Sequence, residues 1–179
     1  MDSTVLVTIG AYLIGSLSFA VIVSRAFGLA DPRTYGSGNP GATNVLRSGS
    51  RAAAIVTLAL DAFKGWLPVM LIKWFGEPYG LGEDAQALAG LAAFVGHLWP
   101  VFFRFAGGKG VATAAGVLLA FEPWLGVAVL ASWLIIAFFF RYSSLASMVA
   151  ALFAPAYYLL ASGVVWTAAP AKVYAMLAM

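Results

Sequence analysis

Of 179 residues, 63% are hydrophobic and only 9% are charged, and the mean hydropathy is +0.93. A soluble domain carries about 25% charged residues, and disorder needs low hydrophobicity with high charge, so an integral membrane protein remains. The chain has no cysteine and one histidine, which excludes disulfides, thiolate nucleophiles and multi-histidine metal sites, and its formal charge of +3 reads as a loop-orientation signal rather than a nucleic-acid footprint.

At roughly 20 residues per crossing, the length holds about six spans and no separate soluble domain. Residues 1–179 are expected to form one integral-membrane domain, an all-α polytopic helix bundle. The N-terminus lacks the basic cluster of a secretory signal, and its apolar run is too long for one. Residues 4–24 carry no charge and read as the first span; Gly10, Gly15, Ser16 and Ser18 mark it for helix–helix contact. A polar, glycine-rich loop follows over 27–50. The second span, 52–75, is interrupted by Asp61, Lys64, Gly65 and Pro68. A short acidic connection over 76–84 leads to the third span, 85–103, with His97 and Pro100 near its end. Residues 104–110 form a second glycine-rich loop. The apolar stretch 111–121 rises only about 16 Å against a hydrocarbon core of about 30 Å, so it is expected to be short or half-length. Spans follow over 124–140 and 143–162. The last apolar segment, 171–179, is too short to cross, so the sequence reads as cut short at its C-terminal end.

Charge placement sets an orientation. With the N-terminus outside, Arg25, Arg33, Arg47, Arg51, Arg104, Lys109 and Arg141 fall on the cytoplasmic side. Lys73, Lys172 and the acids Asp2, Glu77, Glu83, Asp84 and Glu122 fall outside. Arg141 keeps its side only if the short fourth segment crosses.

Both glycine-rich loops then share the cytoplasmic face. In the first, Gly36, Gly38 and Gly41 are expected to bring backbone N–H groups close to an anion, with Ser37, Asn39, Thr43 and Asn44 as neutral donors. Arg47 adds a charged fork suited to phosphate. Asn44 lies just before an expected helix start, which would add an N-terminal anion site. A plain connection seldom needs so many glycine and proline positions beside hydrogen-bonding side chains. In the second loop, Gly107, Gly108, Lys109 and Gly110 precede a helix with Thr113 in its first turn. The logic is that of a phosphate loop, but the Walker spacing is missing, so an ATPase is a poor reading.

Asp61 and Lys64 lie three apart on one helical face, about 14–18 Å into the second span. They read either as a structural intramembrane pair or, for Lys64, as a phosphate ligand reaching the site. His97 is a general base, a cap or a substrate-orienting group; no carboxylate neighbours it in sequence. Trp74, Trp99, Trp124 and Trp166 read as interfacial anchors without chemistry. No serine elbow is present, and Ser37 and Thr43 lack an adjacent base, which favours direct transfer between two bound substrates.

These residues resemble a known family. The motifs GSGNPGATNVLR at 36–47, DAFKG at 61–65, GHLWPVF at 96–102, GGKGVAT at 107–113 and YSSL at 142–145 are similar to those of the bacterial acyl-phosphate:glycerol-3-phosphate acyltransferases. The resemblance implies a seven-helix enzyme of phospholipid synthesis in the bacterial inner membrane, with the N-terminus outside and the active site cytoplasmic. It implies acyl transfer from acyl-phosphate to the 1-hydroxyl of glycerol 3-phosphate, giving lysophosphatidic acid and phosphate, without metal, cofactor or nucleic acid. Ser37 and Arg47 match residues needed for activity in the family, and 107–113 matches its glycerol 3-phosphate loop. Family members continue into a basic segment with functional His, Asn and Glu residues, which has no counterpart before Met179. The alternative from another class is an anion or phosphate transporter with glycine-broken helices; both loops on one face and the lack of an inverted repeat argue against it.

Overall fold

A chain this apolar has to satisfy its backbone polar groups internally, and helices do so span by span. The computed structural model describes residues 2–179, and among these there are helices but no strand. The helices are α1 (Ser3–Gly15), α2 (Phe19–Ala26), α3 (Ala42–Leu46), α4 (Arg51–Phe75), α5 (Glu83–Leu98), α6 (Val111–Phe121), α7 (Pro123–Phe140), α8 (Ser143–Leu160) and α9 (Pro170–Ala178). Short 3-10 turns occupy Glu77–Tyr79 and Val101–Phe103. Four elements are long and apolar enough to cross a membrane: α4, α5 with its continuation to Phe103, α7 and α8; α1 and α2, bent by 41° at their joint, add a fifth if the pair is one span and not a re-entrant loop.

That bend corrects the expectation of one unbroken first span. The Ser16 hydroxyl donates to the Tyr12 carbonyl at 2.8 Å, and the Leu17 carbonyl turns out to accept from Lys64 Nζ at 2.7 Å. A side chain entering the backbone ladder is a recognised cause of a kink. Ser16 is fully buried and Ser18 nearly so, as helix contacts require, whereas Gly10 faces open space.

Helix α6 packs on α4, α5 and α7, and α1 on α5. Small residues allow the closest approaches. A Cβ at Gly116 would run into the Ala62 carbonyl, and one at Gly96 into that of Tyr12. The core gathers Val117, Phe121, Leu125, Tyr158 and Met176.

Short as it is, α6 connects the two ends of the bundle. At its start Lys109 Nζ donates to Ser144 Oγ at 3.1 Å; at its end the Phe121 carbonyl accepts from Lys73 Nζ at 2.6 Å. Eleven residues suffice because α6 is sheathed by other helices and the loop before it folds inward onto His97 and Leu98. Arg141 therefore lies at the end of the bundle that carries the glycine loops.

At the opposite end, buried Lys172 lies 2.7 Å from Glu83 Oε2 and 3.7 Å from Glu122 Oε1. This ties α9 to α5 and to the α6–α7 joint. Trp74, Trp99 and Trp124 are exposed, as anchors should be. Trp166 is not: it stacks on Tyr158 at 5.7 Å and donates its indole N–H to the Tyr158 carbonyl at 2.8 Å, so it is a packing residue.

Helix α7 is buried only at Leu125, Gly126 and Val129, in its first two turns. Beyond Val129 α7 buries no residue, and a cavity lies among α4, α6, α7 and α8.

Candidate active site

The first glycine loop is built around one side chain. Asn44, 2% exposed, donates its amide N–H groups to the carbonyls of Pro32 at 2.6 Å and Tyr35 at 3.1 Å. Its Oδ1 accepts from the Ser37 N–H at 3.1 Å and from Arg47 Nη1 at 3.4 Å. Asn44 thus organises the loop instead of offering a free donor. It also lies inside α3, which starts at Ala42, not ahead of a helix start. Gly36 sits at φ +60°, and a Cβ there would strike Asn44 Oδ1, so only glycine fits. The expected row of bare amides is not present here: the N–H groups of Ser37, Gly38 and Gly41 bond Asn44 Oδ1, the Tyr35 carbonyl and the Asn39 carbonyl. What this loop presents are side chains. Ser37, Thr43 and Arg47 are exposed, and Asn39 is half-buried.

The second loop is the better amide cradle. The Gly108 N–H bonds the His97 carbonyl at 3.1 Å, and the helical ladder resumes only with the Ala114 N–H on the Gly110 carbonyl at 2.8 Å. The amides from Lys109 to Thr113 have no backbone acceptor, and they stand at the positive end of α6. Gly110 holds φ +74° to turn the chain into that helix.

His97 joins the two loops. Its Nδ1 lies 3.1 Å from Thr113 Oγ1 and 3.7 Å from Asp61 Oδ1, and a Cβ at Gly108 would meet its Nε2 and the Pro40 carbonyl. Asp61 in turn sits 2.9 Å from Lys64 Nζ. The chain Lys64–Asp61–His97–Thr113 is almost wholly buried. Lys64 therefore ends on Asp61 and the Leu17 carbonyl, as the structural-pair reading expects, and does not line the cavity described next. Thr113 likewise directs its hydroxyl at His97, not at open space.

One cavity of about 780 Å³ collects what remains. Ser37, Arg47, His97 and Lys109 all face it, together with Asn39, Gly41, Thr43, Asn44 and Gly110. Gly36, Gly38, Lys64, Gly107, Gly108 and Thr113 do not line it; they support the residues that do. Asp61, Ser143, Ser144 and Ser147 also line it, and the rest of its wall is apolar, from Ala115, Leu118 and Val129 to Met176. Ile55 and Leu58 of α4 and Leu130 and Leu134 of α7 line it too and are exposed, so the cavity opens sideways from the bundle.

Two contributors are not among the candidate site residues read from the sequence. Asp61 supplies the carboxylate that His97 lacks among its chain neighbours; the signal was an acid deep in a span. Ser144 lines the cavity and holds Lys109; its signal was the YSSL motif.

A family model described as glycerol-3-phosphate acyltransferase matches residues 5–179. The chain belongs to the glycerol-3-phosphate acyltransferase family. This acyltransferase is similar to curated glycerol-3-phosphate acyltransferases from Albidiferax ferrireducens, 66% identical over 96% of this chain and 77% of the relative, and from Ralstonia pickettii, 62% identical over 98% and 84%. Its fold matches the crystal structure of PlsY (YgiH), an integral membrane glycerol 3-phosphate acyltransferase, in its glycerol 3-phosphate form: TM-score 0.84, 36% identity, 97% of this chain and 82% of that one. The lysophosphatidic acid form of PlsY aligns with a TM-score of 0.83 and 35% identity. The acyltransferase is thus a multi-pass integral membrane enzyme of phospholipid synthesis, and the transporter reading gives way.

Proposed function

We propose that this enzyme transfers a fatty acyl group from acyl-phosphate to the 1-hydroxyl of glycerol 3-phosphate, releasing lysophosphatidic acid and inorganic phosphate. The observation that carries the reading is the single cavity in which Ser37, Arg47, His97 and Lys109 face one another at the polar end of an apolar, sideways-open wall. An amphiphilic donor and a small dianion fit such a site. That PlsY has been solved with glycerol 3-phosphate and with lysophosphatidic acid supports both the acceptor and the product.

In this reading Arg47 and Ser37 hold the phosphate of the donor while its chain lies along Leu118, Val129 and Leu130. Lys109 and the free amides at the start of α6 hold glycerol 3-phosphate. His97, backed by Asp61, fixes the second loop against the first. The glycerol hydroxyl attacks the acyl carbon, the C–O bond to the donor phosphate breaks, and inorganic phosphate leaves. The hydroxyl proton passes to a substrate phosphate oxygen, whose pKa near 6 suits the task. No acyl-enzyme forms. The lack of an acid–base partner beside Ser37 supports this. The distribution of cations supports an active site at the cytoplasmic face of the inner membrane and an outside N-terminus.

The test is acyl transfer by the purified chain in detergent, with acyl-phosphate and labelled glycerol 3-phosphate. Arg47→Ala and Ser37→Ala should each lower kcat/KM by about 100-fold or more, and rapid quench should trap no acyl-Ser37. Full activity of Ser37→Ala, or a trapped acyl-serine, overturns the mechanism.

A further inference from the structure

A second cavity, of about 680 Å³, lies at the same end of the bundle and shares no lining residue with the first. Three arginines face it: Arg25 from the last turn of α2, Arg33 from the following loop, and Arg104 from the turn after α5. Asp31 is the one acid in its wall and is already engaged, with Oδ2 at 2.6 Å from Arg33 Nη2 and Oδ1 at 3.0 Å from Nε. Hydrogen bonds from Arg33, and the charges of Arg33 and Arg25, hold the Asp31 carboxyl below its ordinary pKa. Arg25 and Arg104 have no carboxylate partner among the described residues. The acid offsets one arginine, so the cavity keeps two positive charges with no carboxylate among the described residues paired to them.

Its other walls are apolar. Val21 of α2 is half-buried, and Phe102 is more than half exposed; Phe103 lies under the Arg33 guanidinium at 6.0 Å. Arg104 and Phe105 both hold left-handed backbone, at φ +54° and +60°. L-residues avoid that region, and a turn keeps it only where surrounding bonds enforce it. Here the Phe105 N–H bonds the Pro100 carbonyl at 2.9 Å and the Ala106 N–H that of Phe103 at 3.1 Å. The turn aims Arg104 into this cavity and then feeds residues 107–110 into the active site.

We propose that this cavity is a second anion site, taking the phosphate headgroup of an anionic glycerophospholipid from the leaflet on the side of the glycine loops. Planar guanidinium forks match phosphate oxygens. Placement at the end of a span, with exposed phenylalanine beside the arginines, suits a headgroup whose chains run down α2. A free phosphate would use the arginines and leave the apolar side bare. Because Arg104 leads directly into the loop that carries Lys109, occupancy would steady that loop.

Native mass spectrometry of the full chain in detergent, with dioctanoyl-phosphatidylglycerol as probe, tests this. The wild type should retain one phosphatidylglycerol about tenfold more tightly than phosphatidylcholine, and the Arg25→Gln/Arg104→Gln double variant should lose that preference. Arg47→Gln, altered in the other cavity, should keep it. A second measurement needs no variant: on the wild type, raising salt from about 50 to 500 mM should weaken phosphatidylglycerol retention several-fold and leave phosphatidylcholine unchanged. Equal retention of the two lipids by the wild type, unchanged preference in the double variant, or equal displacement by millimolar inorganic phosphate overturns the proposal. Lipid retention is read without turnover, so its failure is separate from any failure of the acyl-transfer mechanism.

Discussion

Two clusters of charge brace this bundle, and they behave differently. Lys64, Asp61 and His97 lie midway along α4 and at the end of α5, closed on the Leu17 side but touching the substrate cavity through Asp61 and His97. Lys172, Glu83, Glu122 and nearby Lys73 lie at the opposite end, where four chain segments meet and no described cavity reaches them. Asp61 and Lys64 of the first group sit within a span, where charge is costly, whereas the second group gathers at helix ends. Only the first group borders a described cavity, the one proposed above to take the substrates. Burial of charge marks a constraint; access distinguishes a functional constraint from a structural one.

That contrast can be tested from its strongest consequence downwards. Lys109→Ala, on the accessible side, should lower kcat/KM by about 100- to 1,000-fold with little change in thermal stability, measured by acyl transfer beside a melting curve. Lys172→Met should do the reverse. It leaves Glu83 and Glu122 without their ion-pair partner and with only Lys73 nearby; because Glu83 is 52% exposed the loss is set at about 2 kcal/mol, short of the about 3–5 kcal/mol seen for fully buried pairs. Activity per folded molecule should hold. Gly116→Ala should drive α6 off the Ala62 carbonyl and cost about 1–3 kcal/mol by overpacking, with a fall in kcat as the loop before α6 shifts. Asp31→Asn should be smallest, under about 1 kcal/mol, since this pair is a third exposed. Its sign follows from the lowered carboxyl: the contribution is present above the ordinary value near 4 and lost as pH falls through the lowered folded value, so variant and wild type should converge in acid. Melting temperatures at neutral and acid pH check it.

The helices were readable wherever charge or proline ends an apolar run. The segment 111–121 was bounded by Gly110 and Glu122, and α6 occupies Val111–Phe121. The kink at Ser16–Ser18 was hidden, because its cause is Lys64, 47 residues away in sequence. The same holds within the site. Ser37, Arg47 and Lys109 could be picked out because exposed polar groups beside glycines are locally odd. The division of labour could not. Asn44 looks like another donor until Pro32 and Tyr35 are seen to take its protons, and His97 looks solitary until α4 brings Asp61 alongside.

The sideways gap between α4 and α7 has a kinetic consequence. If the acyl donor enters there, it arrives from the two-dimensional phase of the membrane, while glycerol 3-phosphate arrives from water past the two loops. The rate should then follow the donor's mole fraction in the micelle or vesicle, not its amount per litre. Adding inert detergent at constant donor should slow the enzyme by surface dilution, and adding buffer at constant composition should leave the donor dependence unaltered.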